Sequence, residues 1–335
     1  MLPIHIIGTG IYAPGQAINN SMLMQLTGLT FDSEKLEGKL GIYQRHIAHL
    51  VGINETTADF ATEAARAAIK SAGISASDLQ LIIVGTDTPE YITPATSILV
   101  QGRLQEGEKW SSTFDVAASC ASFTIAFDNA VRLMATDVSI QYALVIGVYN
   151  MPAYLRPDDA FGYSIFADGA GAVVLGRNKE SGSGYIGSQM LTDGTQNDYI
   201  GIYAGGTHNP VTKELLDRKE NGLLSLKPLP GDRNIRLWPM VVRQLLNKYE
   251  IEIEEVDHFI FTQINKSVIK TVMDTLGVSM EKTTTVMNLY GYTGSGCVPM
   301  AFHHAVSDDT IKRGDKVVFM ASGAGLAVGS NLFVY

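Results

Sequence analysis

The chain has 335 residues, of which 46% are hydrophobic and 18% are charged, and its net charge is −9. This length and apolar content are enough for one large packed core or two fused cores, and they exclude a disordered or fibrous chain. The acidic balance, without any cluster of Lys and Arg, excludes nucleic-acid binding.

The sequence predicts neither a secretory leader nor a membrane span. Residues 1–14 have no basic region, and His5, Gly8 and Gly10 interrupt their apolar run. No uninterrupted apolar stretch reaches the ~18 residues that a transmembrane helix needs. Two cysteines, Cys120 and Cys297, argue against a disulfide framework. We therefore expect a cytoplasmic protein that does not associate with membranes.

The first half of the chain alternates predicted strands with a predicted helix. The apolar pattern of residues 57–72 predicts a helix that begins with a capping box of Thr56 and Asp59 and ends at Gly73. Short apolar runs are typical of strands that are covered on both faces. These predicted strands are residues 4–7, which end at the glycines of residues 8–10, and residues 79–86, 142–147 and 170–175.

The second half repeats this alternation. Its pattern predicts a helix over residues 235–249 and strands over residues 256–262 and 316–322, the last running into a glycine-rich turn at residues 323–325. Between the halves, residues 178–234 are rich in Gly, Asp, Asn and Pro, and they predict a long loop. Such a loop forms either a lid or tunnel wall, or a solvated connector.

The two halves align with each other at a single offset of 177 residues. This offset places residues 77–79 on 254–256, residues 84–86 on 261–263, and Cys120 on Cys297. Any two strand-helix units align loosely, so the match alone does not prove a repeat. Because one offset serves several elements, we favour a duplication.

The segment around Cys120 carries the strongest chemical signal. Residues 115–123 read Asp-Val-Ala-Ala-Ser-Cys-Ala-Ser-Phe, and a helical apolar pattern follows them. Cys120 would therefore lie where a strand turns into a helix, and the helix start would lower the pKa of its thiol and favour a nucleophilic thiolate. The alternative is a buried, inert cysteine, and spacing alone does not decide between the two.

This segment resembles the nucleophile segment of the β-ketoacyl-acyl-carrier-protein synthase III family. Residues 7–14, 41–46, 166–173 and 311–315 also resemble segments of that family, so the resemblance spans essentially the whole chain. It implies an α/β thiolase fold with two duplicated five-stranded halves in a layered α-β-α-β-α arrangement. Residues 1–177 would form the half that carries the nucleophile, and residues 178–335 the half that carries the other active-site loops. The resemblance also implies a homodimer.

The resemblance implies an acyltransferase. An acyl group from a coenzyme A or acyl-carrier-protein thioester would be loaded on Cys120 and transferred by decarboxylative condensation with a malonyl thioester. Backbone N–H groups of Cys120 and Ala324 would form the oxyanion hole. Coenzyme A and the carrier protein would be substrates or partners, and neither a separate cofactor nor a metal is expected. The resemblance also implies substrate-binding positions at Lys35, Lys39, Asn265 and Gly323, and a solvated helix face is an equal alternative for the two lysines.

The sequence departs from the family at two catalytic positions. Where the family has a histidine and an asparagine, this chain has Thr262 and Tyr292. A threonine hydroxyl is not a base near neutral pH, and a phenol offers one hydrogen-bond donor on a larger side chain. Loss of one oxyanion donor costs about 10²–10³ in rate, so condensation is expected to be impaired.

Three functions therefore remain open. The first is a condensing enzyme with Cys120, Thr262 and Tyr292 in its site. The second is an acyltransferase of specialised metabolism that moves the acyl group from Cys120 to an oxygen or nitrogen acceptor. The third is a non-catalytic subunit of a heteromeric ketosynthase, which the retained Cys120 and glycine-rich turn argue against. We also expect residues 91–97 and the loop after residue 200 to line the acyl tunnel.

Overall fold

The computed structural model describes residues 2–107, 109–177 and 182–335. The strands of these residues are β1 (Ile4–Tyr12), β2 (Ile18–Asn19), β3 (Gln44–Arg45), β4 (Leu81–Gly85), β5 (Ser112–Val116), β6 (Tyr142–Tyr149), β7 (Gly169–Arg177), β8 (Gly184–Thr192), β9 (Ile200–Ile202), β10 (Leu223–Ser225), β11 (His258–Phe261), β12 (Lys316–Gly323) and β13 (Ala327–Val334). Their α-helices are α1 (Asn20–Thr27), α2 (Ser33–Lys35), α3 (Thr57–Ala72), α4 (Thr96–Leu104), α5 (Ser122–Thr136), α6 (Ala160–Ile165), α7 (Lys213–Asp217), α8 (Arg233–Lys248), α9 (Lys266–Leu276), α10 (Met287–Tyr290) and α11 (Cys297–Ser307).

Two mixed sheets form the frame of the molecule. The first has the strand order β1-β7-β6-β4-β5, in which β6, β4 and β5 are parallel neighbours. The second has the order β11-β12-β13-β8, with β11 and β12 parallel and the other pairs antiparallel. All strands of the first sheet end by Arg177, and all strands of the second begin at Gly184 or later.

Helices cover both sheets and fill the space between them. Helices α3 and α4 pack on the outer face of the first sheet, and α8 packs on the second sheet with α9 beside it. Helix α5 contacts β4 and β6 of the first sheet and β13 of the second, and α11 contacts β7 and β11. The layers therefore run α-β-α-β-α, which confirms the predicted fold class.

Helix α3 has the predicted bounds, and its predicted capping box is present. Strand β1 differs from the prediction, because it continues through the glycines at which it was expected to end. A Cβ on Gly8 would lie 2.5 Å from the Ala68 carbonyl oxygen, and one on Gly10 would lie 2.3 Å from the Ala68 nitrogen. These glycines therefore let α3 pack directly on the strand.

Two expectations for the second half need correction. Its sheet has four strands in the described part of the chain rather than five, and Thr283 beside β11 makes a single bridge to Phe259. The segment predicted as a long loop contains β8, which pairs along its length with β13. Polar residues and glycines hid this strand from the pattern, because β8 lies at a sheet edge where alternation is weak.

Candidate active site

Cys120 lies in the turn that joins β5 to α5, at the carboxyl end of the first sheet. Its neighbour Ser119 has φ 50°, a left-handed conformation that costs an L-residue about 1–2 kcal/mol. Three groups hold this turn through the Ser119 carbonyl oxygen, since the hydroxyls of Ser122 and Ser295 donate to it at 2.5 and 3.1 Å and the Ser122 N–H at 3.0 Å. The predicted helix after the cysteine is confirmed.

The glycine-rich turn between β12 and β13 packs directly against Cys120. A Cβ on Gly323 would lie 2.5 Å from the Cys120 nitrogen and 2.7 Å from the Ser119 Cβ, so a glycine is required there. Ala324 follows it and lines the same cavity as Cys120. The structure therefore brings together the residues predicted for the oxyanion hole, whose role stays a prediction.

A cavity of about 380 Å³ opens at Cys120, which is 9% exposed. Such a volume lies within the range of small-molecule sites. The loop after residue 200 contributes to its wall as predicted, whereas residues 91–97 do not. The lining residues are Asp87, Ser119, Cys120, Tyr149, Met151, Phe166, Asn197, Ile200, Gly201, Ile202, Tyr203, Leu223, Leu229, Arg233, Asn234, Thr262, Ile264, Tyr292, Ser322, Gly323, Ala324 and Gly325.

Thr262 and Tyr292 both line the cavity with Cys120. Thr262 follows β11 and is buried, and its hydroxyl oxygen accepts a hydrogen bond from the Ser322 N–H at 3.2 Å. No described acceptor takes the Thr262 hydroxyl proton, so this hydroxyl can donate to a bound ligand. The phenol of Tyr292 interacts with the Cys120 sulfur and opposes the rise in the pKa of that thiol.

The backbone fixes the position of the Tyr292 phenol. The backbone N–H of Tyr292 donates to the Ile165 carbonyl oxygen at 2.9 Å, and the backbone carbonyl of Tyr292 accepts from the Ala167 N–H at 3.0 Å. The ring lies 5.9 Å from that of Phe166 and 6.3 Å from that of Tyr149, measured between centroids. The ring of Tyr292 is therefore held on two sides in the wall of the cavity that contains Cys120.

Asp87 lies in the cavity wall, and the sequence analysis missed it. It follows β4 by two residues, and β4 is the parallel neighbour of β5, which leads to Cys120. The Ser119 hydroxyl donates to Asp87 Oδ2 at 2.9 Å, while the buried Oδ1 has no hydrogen bond in the described residues. Burial raises the pKa of Asp87 to about 6, although the bond from Ser119 opposes that rise. An acidic residue just after a strand adjacent to β5 was the sequence signal.

The thiol of Cys120 is not activated by its place near a helix start, contrary to the expectation from sequence. Its pKa is raised to about 12, first by burial and second by the negative charge of Asp87. Contacts with Tyr292 and Ser119 lower it only in part. A thiol of this kind is protonated at neutral pH, so its reaction requires a group that accepts its proton.

Arg233 is the second charged residue that sequence reasoning missed. It lies in the first turn of α8, lines the cavity and is half-buried, and it has no salt bridge to a described carboxylate. Its guanidinium donates to the Gln196 side-chain oxygen at 3.3 Å. Asp87 and Arg233 are the two charged side chains among the described lining residues, and the rest of the described wall is uncharged.

The remaining predicted binding residues lie outside the cavity. Lys35 and Lys39 are exposed, and they belong to α2 and to the π-helical turn Leu36–Leu40 that follows it. Asn265 caps α9, where its side chain accepts from the Val268 N–H at 3.2 Å. Their proposed contact with substrate therefore stays a prediction.

Among the described residues, no histidine lines the cavity wall. His258 is hydrogen-bonded to Thr284 at 2.9 Å, His303 to Thr9 at 2.8 Å, and His304 to Tyr290 at 3.0 Å. Over the described ranges there is also no group of three or more His, Cys, Asp or Glu that could hold a metal ion. No helix in the described residues is long and apolar enough to cross a membrane.

Comparisons with known proteins converge on one family. Residues 114–194 match "3-Oxoacyl-[acyl-carrier-protein (ACP)] synthase III", and residues 246–335 match the C-terminal part of the same family. A β-ketoacyl-[acyl-carrier-protein] synthase III of Solibacter usitatus is 32% identical over 98% of this chain and 97% of its own, and one of Aliarcobacter butzleri is 30% identical over 97% and 96%. The crystal structure of the Aquifex aeolicus 3-oxoacyl-[acyl-carrier-protein] synthase III has a TM-score of 0.83 at 30% identity, covering 99% of this chain and 100% of that one. The chain belongs to the 3-oxoacyl-[acyl-carrier-protein] synthase III family.

Proposed function

We propose that this protein is an acyltransferase that carries an acyl group on Cys120 and condenses it with a malonyl thioester. The observation that carries this proposal is the position of the Cys120 sulfur, which opens to a cavity beside the turn of Gly323 and Ala324. The relatives named above are β-ketoacyl-[acyl-carrier-protein] synthases III, so carrier-protein and coenzyme A thioesters are the expected donors.

The first step loads the acyl group. The Cys120 sulfur attacks the donor thioester carbonyl, and the π electrons of that carbonyl move to its oxygen. The backbone N–H groups of Cys120 and Ala324 stabilise this oxyanion. When the carbonyl re-forms, the donor thiol leaves with the proton that Cys120 has lost, and the acyl group remains on the sulfur.

The second step needs donors for an enolate. Loss of carbon dioxide from the malonyl thioester leaves an electron pair as an enolate, which attacks the acyl-Cys120 carbonyl. The sulfur is displaced as a thiolate, which takes a proton from water to restore the Cys120 thiol. Thr262 and Tyr292, which the resemblance aligns with the family imidazole and amide, both line the cavity and would supply these donors. Each hydroxyl offers one neutral hydrogen-bond donor to the enolate oxygen, and the threonine side chain is shorter than that of a histidine. We therefore expect decarboxylation to be slower than in relatives with the family pair.

A second candidate function is acyl transfer from Cys120 to an alcohol or amine. The observation that favours it is that Thr262 and Tyr292, which the resemblance aligns with the family His and Asn, line the cavity, and that no described lining residue is a histidine. Such a transfer requires no enolate, so that replacement affects it less than it affects condensation. In both cases the acyl group would lie along the apolar part of the cavity wall, which includes Met151, Ile200 and Leu223.

Intact-mass measurement after incubation with acyl-coenzyme A and acyl-carrier-protein donors tests acyl loading. We expect an adduct on the wild type that disappears in Cys120→Ala. Addition of malonyl carrier protein should then release carbon dioxide and give a β-keto product. A stable acyl adduct that yields no carbon dioxide but is discharged by an alcohol or amine would favour the second function. No adduct with any donor would contradict both.

A further inference from the structure

The Cys120 thiol is linked to a carboxylate through one hydroxyl group. The Ser119 Oγ lies 3.8 Å from Cys120 Sγ, within hydrogen-bonding reach of a sulfur atom. The same hydroxyl donates to Asp87 Oδ2 at 2.9 Å. The left-handed conformation of Ser119, fixed by the bonds to its carbonyl oxygen, places this side chain between the two groups.

The Asp87 carboxylate is costly where it lies. Among the described residues, its buried Oδ1 has no hydrogen-bond donor and its charge has no salt-bridge partner. An uncompensated buried carboxylate destabilises a fold, and such a group in a cleft is a candidate for a functional role. Hydrogen bonds fix the surrounding loop, since Thr86 N–H donates to the Val116 carbonyl at 3.0 Å and Asn150 N–H donates to Thr88 Oγ1 at 2.8 Å.

We propose that Asp87 accepts the proton of Cys120 through the hydroxyl of Ser119 when the sulfur becomes a nucleophile. This inference deepens the proposed function and rests on it, because the proton must leave Cys120 before an acyl group can be carried there. This hydrogen-bonded path provides a proton acceptor in a cavity whose described lining residues include no histidine.

The proton balance is closed within the site. As the sulfur forms its bond to the thioester carbonyl carbon, the S–H proton passes to Ser119 Oγ and the Ser119 hydroxyl proton passes to Asp87 Oδ2. When the tetrahedral intermediate collapses, the protons return along the same path and the donor leaves as a neutral thiol. No oxidant, reductant or metal takes part in either transfer.

Burial makes Asp87 a stronger base than an exposed carboxylate. Burial raises the pKa of Asp87 to about 6, so the group is ionised at neutral pH and is a stronger base than an exposed carboxylate. The titratable groups that face it are Cys120 from the turn before α5, Tyr149 at the end of β6, and Tyr154 from the turn after β6. Burial raises the pKa of both tyrosines, so neither is ionised near neutral pH.

Alkylation of Cys120 by iodoacetamide measures this proton transfer without an acyl donor. In the wild type, the rate should rise with pH through about 6, where Asp87 ionises, and then level off. Asp87→Asn should lose this rise and react at least ~10-fold more slowly at pH 7.5, as expected for loss of a general base. Mass mapping, with Cys120→Ala as the reference, separates this signal from Cys297. Asp217→Asn, which removes an exposed carboxylate on α7, should behave like the wild type.

The alternative role for Asp87 predicts the opposite sign. If the negative charge of Asp87 only raised the pKa of Cys120 and the carboxylate took no proton, Asp87→Asn would lower that pKa and speed alkylation. Equal or faster reaction of Asp87→Asn would therefore overturn the proposal. Ser119→Gly, which suits the left-handed backbone, tests the path independently of Asp87. It should slow the reaction as much as Asp87→Asn, and the double variant should be no slower than either single variant.

The acyl-transfer function and the proton path can fail separately. If Asp87→Asn slows alkylation but the wild type takes no acyl group from any donor, the proposed function is wrong and the path stands. If the wild type is acylated while Asp87→Asn alkylates at least as fast, the function stands and the path is wrong. Circular dichroism and thermal unfolding of each variant show that these rates come from folded protein.

Discussion

The two cysteines of the chain lie at equivalent turns, but one lines a cavity and the other is enclosed in the core. Each precedes a central helix, Cys120 before α5 and Cys297 at the start of α11, and they are 177 residues apart. Burial raises the pKa of both thiols. Cys120 opens to a cavity, whereas Cys297 is fully buried and its sulfur accepts the Gln263 N–H at 3.4 Å.

The neighbours of the two thiols differ in chemistry. The offset of 177 residues places Ile264 at the position of Asp87 and Gly296 at the position of Ser119. The second turn therefore has neither the carboxylate nor the hydroxyl that the first turn offers. A buried thiol at a helix start is thus not a nucleophile by position alone. The cavity and the nearby proton acceptor distinguish Cys120 from Cys297.

The largest expected effect comes from replacing the two sulfurs one at a time. Cys120→Ser should reduce acyl loading by at least about 10³-fold, because a serine hydroxyl is a much weaker nucleophile than a thiol at this site. Cys297→Ser should load at the wild-type rate within a factor of about 3, and it should lose stability by about 1–3 kcal/mol since it buries a hydroxyl among apolar groups. Intact-mass measurements on samples quenched at successive times give the rate of acyl loading, and urea unfolding gives the free energy of unfolding. Comparable loss of loading in both variants would remove the distinction between the turns.

The second effect concerns the close approach of the glycine-rich turn to Cys120. Gly323→Ala should lower acyl loading by about 10²-fold, because its Cβ would displace the Cys120 nitrogen from the oxyanion position. The control is Gly102→Ala on α4, where no atom lies within 4 Å of the added Cβ. That variant should load normally and gain up to about 1 kcal/mol of stability. Unchanged loading in Gly323→Ala would show that the turn is not part of the site.

The sequence predicted the layered fold and the strand-to-helix turn that contains Cys120. Helix α3 and helix α5 followed from a continuous helical pattern, and the family motifs extended over the whole chain. Strand β1 was predicted too short, because glycines usually end a strand and here serve helix packing instead. Strand β8 was missed since its residues at the sheet edge lack a clear apolar alternation.

The chemistry of the site was less accessible from sequence. A single acidic residue after a strand gives no sign that it will meet Ser119, because that contact depends on two strands being neighbours in the sheet. The predicted low pKa of Cys120 was wrong for a related reason. Burial and a nearby charge dominate the shift, and both arise from residues distant in sequence.

A third, intermediate effect distinguishes Asp87 from a structural carboxylate. Burial raises the pKa of Asp87 from 3.8 to about 6, so the folded state binds this proton more tightly than the unfolded state. Its stabilising contribution is greatest below pH 4, falls as pH rises through 6, and is lost above that. Asp87→Asn should therefore gain stability over the wild type between pH 4 and 7, on the order of 1–3 kcal/mol. Urea unfolding at several pH values measures this difference.

The matched control is Asp168, a second buried carboxylate whose pKa is raised to about 7. Its oxygens accept from the Ala48 N–H at 2.8 Å and the Asn150 side-chain amide at 2.7 Å, so both are used in the fold. Asp168→Asn should lose about 1–3 kcal/mol at pH 7 because its amide leaves one of these donors unpaired. A loss of stability in Asp87→Asn at pH 7 would instead place Asp87 with Asp168 as a structural residue.

The smallest effect concerns the phenol that faces the sulfur. The interaction with the Tyr292 phenol lowers the pKa of Cys120, so Tyr292→Phe should raise that pKa and slow alkylation by about 10-fold. Tyr149→Phe removes a hydroxyl from the same aromatic cluster, and among the described residues no hydrogen bond links Tyr149 to the sulfur, so its rate should stay within about 2-fold of wild type. Rates measured across pH distinguish the phenol from Asp87. Tyr292→Phe should keep the rise through pH 6 at a lower plateau, because the phenol stabilises the sulfur anion and does not accept its proton.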